Sequence, residues 1–224
     1  MTFRNMTTTA TTTVLTLAAR GPIRARDLDA SGVARTTLRR LCDSGLLERV
    51  GRGLYQLTDF PATELHTLAE VAKRVPQGTI CLLSALQLHG LGTEAPHAVW
   101  LLIDSHARTP RLDRPRLEVV RASGSARDHG VEVRVIEGVP VRVTSAAKTV
   151  ADCFRYRRHV GLDVALDALR DYLRDARTTL GAGSGDGSSG SGAAPDTTRI
   201  GALIDAAKAD HIYSVLRPYL EALA

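Results

Sequence analysis

Apolar positions recur at helical spacing three times before residue 45. Val14, Leu17 and Ala18 share one face of a first helix over residues 14–20, which Gly21-Pro22 stops. A second short helix in "RARDLDA" turns Ile23 and Leu28 inward and ends at Ser31-Gly32, a pair suited to a tight turn. The third begins near Ala34, carries Leu38 and Leu41 on one side, and is capped by Gly45. Helix, glycine-containing turn, helix is the pattern of a helix-turn-helix. "LLERVGRGLYQL" then gives two short β-prone runs joined at Gly51-Arg52-Gly53, a hairpin with arginine at its tip, so the segment predicts a winged helix.

Beyond Phe60-Pro61 the pattern changes. Leu65, Leu68, Val71, Ala72 and Val75 predict a helix that Pro76 and Gly78 terminate, and "TICLLSALQLHG" predicts a buried helix running from a Thr79 cap to Gly90. β-type runs follow in "HAVWLLI", "RLEVVRA" and "VEVRVIEGVPVRVT". In the last, a loop of Glu137-Gly138-Val139 pairs Val133 with Val143 and Val135 with Val141, and so keeps one face apolar; a two-residue turn would set Val133 against Arg142. "TSAAKTVADCF" predicts a helix capped by Thr144 or Ser145, with Val150, Ala151 and Phe154 inward and Lys148 with Asp152 as an i,i+4 pair on the exposed side. "LDVALDALRDYLRDA" is amphipathic through Leu162, Ala165, Leu166, Leu169, Tyr172 and Leu173. The tail from Arg199 is helical again, with Leu203, Leu216 and Leu223 apolar and a kink expected at Pro218. Between them, residues 178–198 hold six Gly and four Ser and read as a flexible tether.

Charge sharpens this division. Residues 1–58 hold nine Arg against four acids, whereas residues 59–224 hold 20 bases against 20 acids, so the whole net charge of +5 lies in the first quarter of the 224-residue chain. Arg35, Thr36, Thr37, Arg39 and Arg40 on the third helix are placed for DNA bases or phosphates, and Arg52 at the wing tip for phosphate. Arg outnumbers Lys 26 to 3, a skew that reads first as genomic base composition and second as phosphate recognition. Cys42, Cys81 and Cys153 form no C-x-x-C pair, so reduced thiols and a cytoplasmic location are expected. No apolar run approaches the ~18 residues of a membrane span.

Catalytic chemistry needs convergent ionisable groups, and the chain offers few. His66, His89, His97, His106, His129, His159 and His211 are scattered without metal-ligand spacing, and no nucleophile elbow or phosphate loop is present. Glu132-Val133-Arg134 is the nearest approach to a nuclease Glu-x-Lys pair, and arginine there has no adjustable pKa. No catalytic residue, metal site or cofactor is expected.

Three stretches, "TTLRRLCDSGLLERVGRGLYQL", "LLSALQLHGLGTEAPHAVWL" and "VTSAAKTVADCFRYRRHVGLDVALDALRDYL", resemble the AbiEi family of type IV antitoxins. The resemblance implies a DNA-binding antitoxin and transcriptional autorepressor. Its winged helix would bind operator repeats in double-stranded DNA, and its C-terminal part would counter a nucleotidyltransferase toxin. The expected fold is α+β: an N-terminal winged helix-turn-helix (1–58), a mixed α/β C-terminal domain (59–177), the tether (178–198) and C-terminal helices docking on that domain (199–224). A stand-alone winged-helix regulator without a toxin and a degenerate nuclease are the alternatives.

Overall fold

The computed structural model describes residues 3–178 and 197–223, and the chain divides into two compact units, residues 1–77 with 134–141 and residues 78–133 with 142–224. The expected tether therefore lies almost wholly outside the described residues.

In the first unit, helix α1 (Phe3–Ala18) begins well before the first apolar stripe, strand β1 (Ile23–Arg24) follows, and the second helical stretch is a 3-10 helix (Ala25–Ser31) closed by Gly32 at φ 64. Its start is pinned by a capping box in which Asp27 accepts from the Arg24 N–H at 2.9 Å. Helix α2 (Arg35–Asp43) and strands β2 (Leu47–Gly51) and β3 (Leu54–Leu57) complete the winged helix, with β3 central in the order β1-β3-β2. Val14, Ala18, Ile23, Leu28, Leu38, Leu41 and Leu47 form its core. At ~25 cal/mol per Å² of apolar surface, this shared burial is what holds three short helical pieces that would be marginal alone. Helix α3 (His66–Arg74) belongs to the same unit.

A five-stranded sheet has the order β6-β5-β4-β8-β7, with β4 (Thr79–Ile80), β5 (Val99–Asp104), β6 (Leu117–Ala122), β7 (Val131–Ile136) and β8 (Val139–Thr144); residues 134–141 of its β7–β8 hairpin count with the first unit and the rest of the sheet with the second. Thr79, expected to cap a helix, is instead in β4; helix α4 (Leu82–His89) starts after Cys81 because Thr79 and Ile80 pair with Leu102 and Leu101. Helices α5 (Ser125–Asp128), α6 (Ala146–Arg155), α7 (Arg157–Val160), α8 (Leu162–Thr178), α9 (Thr197–Ala209) and α10 (Tyr213–Leu223) complete the fold. One apolar cluster joins α4, α6, α8, α9 and α10 through Leu86, Phe154, Leu169, Leu203 and Leu216, each at most 1% exposed. The tail helix breaks at His211, whose φ is 57, while Pro218 sits inside α10.

Two expectations fail in informative ways. The β7–β8 connection is the two-residue turn Glu137-Gly138, with φ of 48 and 69, and Val133 and Val135 are 63% and 74% exposed rather than sharing the buried face of Val141 and Val143. Lys148 and Asp152 do not lie on an exposed side. Lys148 has no exposed surface, and its Nζ donates to Asp152 at 3.3 Å and to both Asp210 oxygens at 3.1 and 3.0 Å. Arg155 reaches Asp210 at 3.6 Å, so two basic side chains face two acidic ones between α6 and the end of α9. Burial, reinforced by the neighbouring Asp210 charge and opposed by Lys148, pushes the Asp152 carboxyl up to about 8. Above this cluster, Ser145 caps α6 by accepting from the Lys148 N–H at 3.3 Å, as expected for that motif.

The candidate nucleic-acid interface

Helix α2 is amphipathic because its apolar residues fall at i and i+3. Leu38 and Leu41 are 2% and 3% exposed, and the side opposite them carries Arg35, Thr36, Arg39 and Arg40, all exposed. Thr37 departs from the expected set: one residue from Leu38, it lies on the inward side at 9% exposure and is removed from contact with a ligand. The helix starts at Ala34, which has extended backbone and no capping side chain; its carbonyl accepts from the Thr37 N–H at 2.9 Å.

The outward arginines differ in how tightly they are held. Arg40 donates to Thr11 Oγ1 of α1 at 2.8 Å, which fixes its direction. Arg39 lies 3.9 Å from Asp43 with both side chains largely in solvent, a pair worth ~0.3–0.5 kcal/mol and easily exchanged for a phosphate. At the wing, Arg52 is exposed at the turn beside Gly53. Arg49, not among the expected residues, is exposed on β2 and bends back to donate to the Gly51 carbonyl at 3.1 Å. The strand register shifts between Glu48 and Gly51, which breaks the two-residue alternation from which a sequence reading would have placed Arg49.

The wing is braced from behind by α3. Arg74, one-tenth exposed, donates through Nη2 to the Val50 carbonyl at 2.6 Å and pairs with Glu70 at 2.9 Å, while Arg24 donates to the Arg74 carbonyl at 3.3 Å. Gly51 matters here for space: a Cβ at that position would strike the Arg74 guanidinium. Lys73 donates to Asp27 at 2.6 Å; burial of Asp27 is outweighed by this bond and by the Arg24 N–H, so its carboxyl lies below the ordinary range. Glu137, at the hairpin turn, accepts from the Thr63 N–H at 2.8 Å and Thr63 Oγ1 at 2.9 Å, and its other oxygen sits 2.6 Å from His66 Nδ1. Burial would raise that carboxyl, and these bonds lower it overall.

Cationic side chains on one helix face and on a braced hairpin can neutralise phosphates and offer guanidinium forks to guanine edges. Among the described residues no group of three or more His, Cys, Asp or Glu is placed to hold a metal ion, and no helix is long and apolar enough to cross a membrane.

A family model for a transcriptional regulator, AbiEi antitoxin, matches residues 13–58, the span that holds α2 and the wing. The family is one of transcriptional regulators and antitoxins. No curated protein matches the chain. Among solved structures, the crystal structure of RV2827C protein from Mycobacterium tuberculosis is similar with a TM-score of 0.50 and 16% identity, covering 92% of this chain and 76% of that one. That likeness is one of fold.

Proposed function

We propose, from a winged helix that an AbiEi regulator model matches over residues 13–58, that this chain is a cytoplasmic DNA-binding antitoxin that represses transcription of its own operon. The observation that carries the reading is the exposed set Arg35, Thr36, Arg39 and Arg40 on α2 beside the Arg52 wing, in the part of the chain that holds all of its net charge. In this reading α2 enters the major groove and the wing follows the backbone. Residues 59–177 and 199–224 serve the antitoxin role, countering a nucleotidyltransferase toxin.

The test uses the full chain and the double-stranded DNA upstream of its gene. Replacing Arg39 and Arg40 by Ala should weaken a gel shift by roughly thirtyfold or more, at ~1–3 kcal/mol for each lost base fork. An unchanged shift would remove α2 from the reading. Co-expression with a nucleotidyltransferase encoded next to this gene separates neutralisation from repression. Rescue of growth supports the antitoxin, and repression without rescue leaves a stand-alone regulator.

A further inference from the structure

Strand β7 closes one side of the five-stranded sheet, with β8 as its neighbour. The two-residue turn makes Ile136 and Val139 the pair that flanks it, so Arg134 faces Val141 and Glu132 faces Val143. In an antiparallel ladder counted from such a turn, these alternate residues direct their amide groups to β8. Val131, Val133 and Val135 therefore direct theirs to the outer side of the sheet, where no strand of the described residues pairs with β7. Pro140 agrees with this register, because it lies opposite Val135, a position that sends no N–H across to β7. Val133 and Val135 are also more exposed than the other exposed large apolar side chains, Leu46 at 47% and Leu162 at 38%, which stand singly elsewhere.

An open edge invites another strand, and proteins usually blunt it with proline, a bulge, charged side chains or a covering element. β7 carries no proline and reads Val-Glu-Val-Arg-Val from residue 131 to 135, so its two charges are of opposite sign and can pair with a suitable strand instead of repelling it. We propose that β7 pairs antiparallel with β7 of a second copy of this chain, about a two-fold axis through Val133. That axis sets Val131 against Val135 of the second copy, Glu132 against its Arg134, and Val133 against its own equivalent.

Hydrogen bonding, an apolar face and charge are all satisfied in this register, and the charge match is what singles it out. The residues that must exchange hydrogen bonds at the axis are the valines whose amide groups point outward. One face of the joined strands becomes an unbroken ladder of valines, and the other carries two Glu–Arg pairs, each of a kind that stabilises neighbouring strands. Other antiparallel registers also pair the outward valine amide groups but lose the charge match. Centring the axis on Glu132 sets two carboxylates against each other, and centring it on Arg134 sets two guanidinium groups together. A parallel, in-register pair would stack Glu132 on Glu132. The occupant that the edge fits is thus a copy of itself, joined by an isologous contact.

The experiment measures the mass of the full chain by sedimentation equilibrium over a range of concentrations. The wild type should rise from 24.0 kDa toward twice that value. Glu132→Arg alone and Arg134→Glu alone should each raise the dimer dissociation constant at least about tenfold, since both turn two attractive cross-axis pairs into repulsive ones. The double variant Glu132→Arg/Arg134→Glu should recover dimerisation, because the swap keeps opposite charges facing across the axis. That recovery also answers a fold defect, since each substituted residue is present in the double variant. A wild type that stays monomeric, a dimer indifferent to either single reversal, or a double variant that stays monomeric would each overturn the proposal. None of these readings depends on DNA binding, so it stands or falls apart from the proposed function.

Discussion

A lysine ammonium without exposed surface is tolerable in the second unit because Asp152 and Asp210 stand within 3.3 Å of it. Lys148→Met should therefore cost ~3–5 kcal/mol, since it leaves the buried acid groups of Asp152 and Asp210 without their central donor. Urea unfolding followed by Trp100, the one tryptophan of the chain and a member of that unit's core, would read the loss. Asp152 supplies a pH signature. Its proton is held more tightly in the folded chain than its ordinary value of 3.8 would have it, so the stability it contributes is complete below that pH and is withdrawn as pH rises toward about 8. Asp152→Asn should flatten the Trp100-monitored stability across that window; an unchanged slope would show that another group titrates there. The sequence shows the i,i+4 spacing of Lys148 and Asp152 but suggests that the pair lies outside. Only Asp210, 62 residues further along, lets the lysine turn inward, and no local pattern records so distant a partner.

Helix α2 and the wing are legible in the sequence because their signals are local: a Leu38/Leu41 stripe, Gly45 after the helix, and glycines around Arg52. What the pattern does not record is their bracing. Gly51→Ala should displace the Arg74 guanidinium from the Val50 carbonyl and so loosen the wing without unfolding the first unit. Hydrogen exchange at β2 and β3 amides would reveal it. Arg52→Ala should weaken specific and random DNA about equally and lower the salt slope by about one, as expected for a phosphate contact. A selective loss on the specific sequence would mean that the wing reads bases. The β7–β8 turn escapes the pattern because an apolar face argues for three residues, yet Glu137 accepts the strained left-handed backbone of the shorter turn. Bonds from Thr63 and from the ring of His66 hold that side chain, and they come from 74 and 71 residues away.

At the scale of the molecule, the strand-then-helix order of the second half suggests an α+β architecture, and that architecture is present. The order β6-β5-β4-β8-β7, with β4 antiparallel to β5 and parallel to β8, depends on pairings that alternation does not specify. Removing residues 199–224 should expose the surface against which Leu203, Leu216 and Leu220 pack, at ~1.5–3 kcal/mol for each fully buried side chain. The truncated chain should bind a hydrophobic dye and lose the cooperative Trp100 transition; retention of a sharp transition would mean that the tail helices are dispensable to the core.

The place of Asp210 in the chain also bears on how the protein is made. Translation delivers Lys148 long before residue 210, so the nascent α6 emerges with a cation for which half of the final carboxylate partners have yet to be synthesised. The second unit cannot close over that charge during most of its own synthesis, whereas every residue of the α1-to-β3 core is already available by residue 57. A ribosome paused just before Asp210 should carry a winged helix that resists protease and a second unit that is still cut.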